Sequence, residues 1–464
     1  MALTETAVVG RRSARPHPVV IAVMAGAASV LWFTLLSGWL GVQPGSVLVK
    51  RQNVLFNSDT NTWIEEMVYQ HEPSASTKVV HPLDVFLWRP PSQALYHVLQ
   101  IFLPAEPAGL LAARLLVALV AGSGVGCLAF LALQNGIEIP QCLLLVSMYL
   151  LFTSSSTTAL PEHFGISNGL LSIAFVAPSL TANIGLATGV LAALVPLSGG
   201  TTITNVLYPL SSLYHFRIRS VRARRAIFAG ALVASAIAIF LFIDSRKVVL
   251  NYTDADPEIA SRVAILPAHI PAATRWYLKT TGIHIHVGDY LNLRLLHEPL
   301  DAAVYAIYAL VAPAVGPTPH VRTTKGQDMV TYESGRPLRW NPNGFFTGSD
   351  GLHLSDYWGV QAVGAVMWTA LLIGCSYQAF HDRRARPLVW LPAGWIVFNI
   401  VFHNMWGDEL FLYAPHWSWA LIGLVILGAR RLSRTVTALV VMPVMVCQIY
   451  TLFRIKSALL TIVR

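Results

Sequence analysis

Long apolar runs, divided by short basic turns and a few longer polar stretches, set the rhythm of this chain. Runs of roughly the 17–25 residues that cross a bilayer fall near 19–40, 108–133, 139–158, 165–180, 183–198, 202–216, 226–243, 357–380, 387–403, 413–429 and 435–453. The pattern predicts an all-α polytopic membrane protein of about eleven transmembrane helices, within a range of about ten to thirteen. Between 165 and 216 the runs are short and interrupted by Gly and Pro, which predicts broken or half-spanning helices. A further apolar run, Leu300–Gly316, sits inside a large polar region and is expected to be a re-entrant or interfacial helix. Three parts follow: an N-terminal membrane module over 1–244 with a long first loop at 41–107, a loop region over 245–356, and C-terminal membrane helices over 357–464. The Gly-, Asn- and Asp-rich tract after residue 320 reads as an exposed loop.

Composition agrees with the pattern. Hydrophobic residues make up 55% of the chain and charged residues 12%, about half the 25% or so typical of soluble domains. The formal net charge is +9, but the basic residues form no patch. They cluster in the N-terminal tail (Arg11, Arg12, Arg15), in Arg217–Arg225, in Arg383–Arg386 and in Arg430–Arg434. The positive-inside rule makes these segments cytoplasmic, and nucleic-acid binding is not expected. The same parity places 53–107, 161–168, 198–202, 245–357 and 404–412 on the outer face of the cytoplasmic (inner) membrane. Four cysteines lie within apolar runs, where thiols behave as small hydrophobes, so no disulfide is expected.

The expected outer segments hold most of the polar chemistry. Asp59, in Ser58-Asp59-Thr60-Asn61, is either a helix N-cap or a carboxylate that takes a proton from a hydroxyl or holds a metal ion. Glu65 and Glu66 read as a solvated helix face. Lys78, His81 (before Pro82) and Arg89 follow; Arg89 either snorkels to lipid headgroups or clamps a phosphate. Pro161-Glu162-His163 opens a helix, so Glu162 either complements that helix dipole or lies with His163 at the rim of a cavity shared with Asp59. Ser198-Gly199-Gly200-Thr201-Thr202 is either a plain inter-helix turn or a glycine-rich helix start that cradles phosphate. A second dense site, from Phe402 to Tyr413, contains His403, Asp408 and Glu409, and His416 and Trp417 follow within reach of the same cavity.

The stretches FNSDTN, KVVHPLDVFLWRPP, PEHFGISNG, GGTTITNVLYPL and GDELFLYAPHW resemble the C-type glycosyltransferase superfamily, closest to poorly characterised bacterial members. These are integral membrane enzymes that take a sugar from a polyprenyl-phosphate or polyprenyl-diphosphate carrier. The resemblance covers most of the chain to about Tyr214 and resumes near Asn399. It implies that Asp59 is the catalytic base, or a ligand for a divalent metal such as Mg or Mn in metal-dependent branches. Many relatives carry paired acids here, whereas Asp59 is flanked by Ser58 and Thr60, and paired acids appear only at Glu65-Glu66. The chemistry of such a transfer, and the shared outward placement of these residues, then assign the leaving phosphate to Arg89, helped by His81 or Lys78, and sugar hydroxyls to Glu162, Asp408 and Glu409. His163 and His403 are further substrate-binding candidates. The implied partners are the polyprenyl-linked donor, a glycan, lipid or protein acceptor, and membrane lipids. Competing classes are a secondary transporter, whose ionisable groups lie within spans, and a polysaccharide ligase or polymerase.

Overall fold

The computed structural model describes residues 17–51, 54–56, 58–71, 84–180, 184–215, 299–324, 327–332, 339–340, 346–347, 354–383, 385–404 and 410–463. The predicted run at 226–243 and the arginines at 217–225 lie outside the described residues. The rest is a helical membrane protein, about 79% helix. In chain order the helices are α1 (Pro18–Leu40), α2 (Val47–Lys50), α3 (Thr60–Met67), α4 (Asp84–Gln100), α5 (Ala105–Gln134), α6 (Ile139–Leu150), α7 (Ser155–Thr158), α8 (His163–Val176), α9 (Ile184–Thr201), α10 (Leu207–His215) and α11 (Pro299–Val311). After two small hairpins come α12 (Val360–His381), α13 (Arg386–His403), α14 (Leu410–Tyr413), α15 (Pro415–Ala429) and α16 (Arg434–Val463).

Four of these helices, α1, α5, α12 and α16, are long and apolar enough to cross a membrane. Others are apolar but shorter. The run at 139–158 breaks after Leu150 and resumes only as the one-turn α7. The region from 165 to 216 is broken, as its glycines and prolines predict: α8 ends in a 3-10 turn (Ala177–Leu180), α9 carries Pro196, and a second 3-10 turn (Ile203–Val206) precedes α10. The apolar run near 300–316 forms α11, 13 residues or about 20 Å long at 1.5 Å per residue, short of the roughly 30 Å of a hydrocarbon core. Its continuation is knit to the end of α6. Ser154 N donates to Pro313 O (2.9 Å) and Gly316 N to Thr153 Oγ1 (2.8 Å).

Small residues set the closest helix contacts. At the α1–α5 crossing a Cβ on Gly122 would lie 2.8 Å from Val30 N, and one on Gly126 would lie 2.9 Å from Ala22 O. The two helices therefore touch backbone to backbone, antiparallel, the approach that small-xxx-small spacing permits. On the far side of α5, Gly124 meets Gly169 of α8 in the same way. At the centre lies α15, every residue of which is buried. A helix apolar on all sides has no preferred outward face, and burial is its stable setting. One polar cluster in this interior is well paired: Tyr149 Oη donates to Asn168 Oδ1 (2.9 Å), and Asn168 Nδ2 donates to Pro415 O (2.8 Å) and Ser418 Oγ (2.9 Å).

The bundle has two chemically distinct ends. At one, Gln141 Nε2 donates to Thr437 Oγ1 and Ala429 O, Arg431 approaches Asp382, and Arg434 pairs with Glu138. This end carries the Arg383–Arg386 and Arg430–Arg434 turns. The other end gathers Leu40, Glu106, Glu162, His403 and His416, together with Asp59. There a hairpin, β1 (His320–Thr324) with β2 (Gln327–Thr331), adds a short parallel bridge to the first loop: Phe56 N donates to Val330 O (2.7 Å) and Val330 N to Val54 O (2.8 Å). The exposed loop expected in this tract is thus corrected in part. Met329, Val330, Thr331 and Tyr332 are buried in succession, because β2 pairs with the apolar Val54–Phe56 and Tyr332 packs on Phe56. A second two-residue ladder, β3 (Arg339–Trp340) with β4 (Phe346–Thr347), is the other β element described.

Candidate functional site

Asp59 stands at the head of α3. Its carbonyl starts the helix by accepting from Trp63 N at 3.0 Å, yet its carboxylate makes no capping hydrogen bond. The N-cap reading therefore fails as an account of the side chain: the residue occupies the cap position and leaves its acid group uncommitted. The carboxylate reaches solvent but sits in a recess dense in protein. Desolvation there, followed by the negative charge of Glu66, raises its pKa from 3.8 to about 6.

Glu162 comes to the same place from the other half of the site. The structure starts α8 at His163, which leaves Glu162 at the N-cap position with its carboxylate turned away from the helix amides. Instead it accepts a hydrogen bond from Thr60 Oγ1 at 3.1 Å. Glu162 is buried, and its pKa is raised well above 4.5 by that burial and by the charge of Asp59; hydrogen bonds from Thr60, the Asp59 amide and Ser58 oppose the rise. Of the two, Glu162 is the more deeply buried and the more strongly shifted, while Asp59 is perturbed first by desolvation and then by the charge of Glu66.

Two further acids complete the surroundings. Glu66 is 3% exposed, which overturns its reading as a solvated face. The helix α3 is covered on more than one side, by the core against Ile64 and Met67 and by α4, so the position beside the core face is also enclosed. Only Glu65 remains on the open side, paired with His71 at 2.7 Å. Asp84, in the first turn of α4, accepts from Trp63 Nε1 at 3.2 Å through Oδ2, while its Oδ1 is buried with no partner. Burial raises its pKa, the Trp63 bond lowers it and the charge of Glu66 adds to the rise. Sequence reasoning passed over Asp84. Its place in a first helical turn was visible, but the fold-back of α4 onto α3 was not.

An aromatic and imidazole wall borders these acids. Phe164, next to Glu162, packs on Tyr413 (ring centroids 5.7 Å apart) and His416 (5.5 Å). His403 stacks on Tyr413 at 4.5 Å and approaches Trp417 at 5.6 Å. His163 stands beside Phe164 at 3.9 Å. Phe56 of the first loop, Tyr332 after β2 and Phe411 of α14 form a three-ring cluster with centroids 4.4–4.9 Å apart. Asp59, Glu162, His163 and His403 are thus gathered at one end of the bundle. Lys78, His81, Asp408 and Glu409 lie outside the described residues.

Arg89 and the glycine motif depart from expectation. Arg89 Nε donates to Glu66 O (2.9 Å) and Nη2 to His71 O (2.8 Å), so it braces the end of α3 rather than snorkelling or presenting an open fork to phosphate. A guanidinium does this because its planar donors can span two carbonyls at once. Ser198–Thr201 is the last turn of α9, neither an inter-helix turn nor a helix start; carbonyls rather than amides are left over at such an end, and the phosphate cradle is lost. Nothing in the stretch forbids helix until Thr202, whose backbone is extended. Among the described residues no three His, Cys, Asp or Glu side chains converge as a metal site.

No protein-family model, curated protein or solved structure matches this chain. The functional reading therefore rests on the residues themselves.

Proposed function

We propose that this protein is a membrane glycosyltransferase that moves a sugar from a polyprenyl-phosphate or diphosphate carrier to an acceptor hydroxyl, at the outer face of the cytoplasmic membrane. The observation that carries the reading is Asp59: a solvent-reaching carboxylate with no structural duty, held in a recess where its pKa approaches neutrality. A general base works best when its pKa lies near the working pH. Asp59 takes the acceptor proton as the hydroxyl oxygen bonds to the sugar's anomeric carbon. The bond from that carbon to the carrier oxygen breaks, and the lipid phosphate leaves with the electron pair. Glu162, bonded to Thr60 beside Asp59, is the carboxyl this reading assigns to sugar recognition, and the imidazoles and rings around His403 and Tyr413 form the adjoining wall. The positive groups this reading assigns to the leaving phosphate are Lys78 and His81, which lie outside the described residues.

The test is a transfer assay on the purified full chain with radiolabelled polyprenyl-phosphate sugars, with and without EDTA. Asp59→Asn is expected to lose about 10²–10⁴-fold in rate, the usual worth of a general base, and the EDTA lane separates base-only from metal-assisted transfer. Equal transfer by both proteins would remove Asp59 from the chemistry.

A further inference from the structure

The open side of α3 carries a second feature that the proposed chemistry does not use. Asn61, Glu65 and Tyr69 follow one another at intervals of four residues, so they line one face of α3 and its continuation. With Lys50, at the end of α2, and Glu106, in the first turn of α5, they border a depression of about 480 Å³. That volume falls within the roughly 300–1,000 Å³ of small-molecule sites. Val49 and Ala105 add apolar surface to its wall.

The wall is organised rather than merely polar. Glu106 Oε1 accepts from Gly45 N at 3.2 Å, and Glu65 Oε2 pairs with His71 at 2.7 Å. Each carboxylate is thereby oriented, with its second oxygen left as an acceptor. Tyr69 is held edge-to-face on Tyr96 at 6.0 Å. Burial and the nearby Tyr96, Glu106 and Glu65 push its pKa up to about 12, and its hydroxyl donates to Glu106 O at 3.5 Å, so it offers a ligand its ring and the hydroxyl's lone pairs. Among the described residues, neither the Lys50 ammonium nor the Asn61 carboxamide meets a partner. Two carboxylates against one ammonium disfavour an anion such as phosphate. Fixed carboxylate acceptors, amide and ammonium donors and a tyrosine ring beside apolar surface suit a ligand with many hydroxyls and one apolar face.

We infer that this depression is a binding subsite for a neutral saccharide, the acceptor glycan of the transfer proposed above. The identification as acceptor rests on that reading; the saccharide chemistry rests on the wall alone. Asn61 is two residues beyond Asp59, which caps the helix, so the depression and the base share the head of α3 on different faces of it.

Saturation-transfer NMR on the full chain in nanodiscs, free of sugar-based detergents, tests it. The probes are neutral hexasaccharides of glucose, mannose, galactose and arabinose, offered to wild type, Asn61→Ala and Tyr69→Ala. Wild type is expected to bind at least one probe. Asn61→Ala and Tyr69→Ala should bind it about five- to tenfold more weakly, as for loss of one hydrogen bond. Asn61 is partly exposed, so its variant reports on binding without the risk of misfolding. Failure of wild type to bind any probe, or undiminished binding by both alanine variants, would overturn the subsite. Binding that behaves as expected while Asp59→Asn transfers normally would keep the subsite and reject the catalytic reading.

Discussion

At the scale of single residues, Asp59 makes two quantitative statements. If it is the base, the acidic limb of the transfer rate should fall near pH 6, where its carboxylate loses its proton. Glu66→Gln removes a negative charge that raises that pKa, so the limb should move to lower pH; a pH profile of both proteins reads the shift. The stability consequence has the opposite sense from that of a salt-bridged acid. The folded chain binds the Asp59 proton more tightly than the unfolded chain, since about 6 exceeds 3.8, so stability from this group is full below the lower value and is lost as pH rises through the upper one. Thermal melts of wild type against Asp59→Asn between those limits should show wild type gaining as pH falls. Arg89 yields a purely structural prediction. Arg89→Ala leaves the Glu66 and His71 carbonyls without their donors and should cost about 1–3 kcal/mol, read as a lower melting temperature. Arg89→Lys should rescue little, because one ammonium on a flexible stem does not span both carbonyls.

At the scale of elements, backbone-to-backbone joints decide tolerance. A valine at Gly124 would drive its side chain into Gly169 and Ser172, where even a Cβ lies 2.8–2.9 Å from α8 atoms. Overpacking of this kind costs about 1–3 kcal/mol, so Gly124→Val should lower the melting temperature in detergent while a serine at the half-exposed Ala94 of α4 leaves it unchanged. Much of this level could be read from the chain. Four of the eleven expected runs appear as the long apolar helices α1, α5, α12 and α16, and the interrupted stretch from 165 to 216 is broken where Gly and Pro interrupt it. Other features were hidden because they depend on what packs against what. Gly199 and Gly200 looked like a turn, but glycine weakens a helix without forbidding it, and here it lets the last turn of α9 lie against Val206. Glu66 looked solvated because periodicity reports one buried face, and α3 has more than one. The joining of Val54–Phe56 to β2 pairs positions far apart in sequence, which no local pattern encodes.

At the scale of the whole molecule, among the described residues, Arg383, Arg386 and the Arg430–Arg434 turn lie at one end, and Asp59, Glu162 and the imidazoles at the other. Arginine clusters alternating with polar segments suggested such a division along the chain. Which segments then touch was not legible, and the three-ring contact among Phe56, Tyr332 and Phe411 supplies it. The central helix α15 carries a further consequence, for the order of assembly. It is sheathed on all sides yet is made after α8, α12 and α13 that surround it. During synthesis those earlier helices must either keep a vacant channel or close imperfectly and reopen to admit it. A nascent chain that has just produced His403 is therefore an incomplete shell with an apolar hollow. The interval before α15 arrives is when this protein is most open to wrong partners in the bilayer.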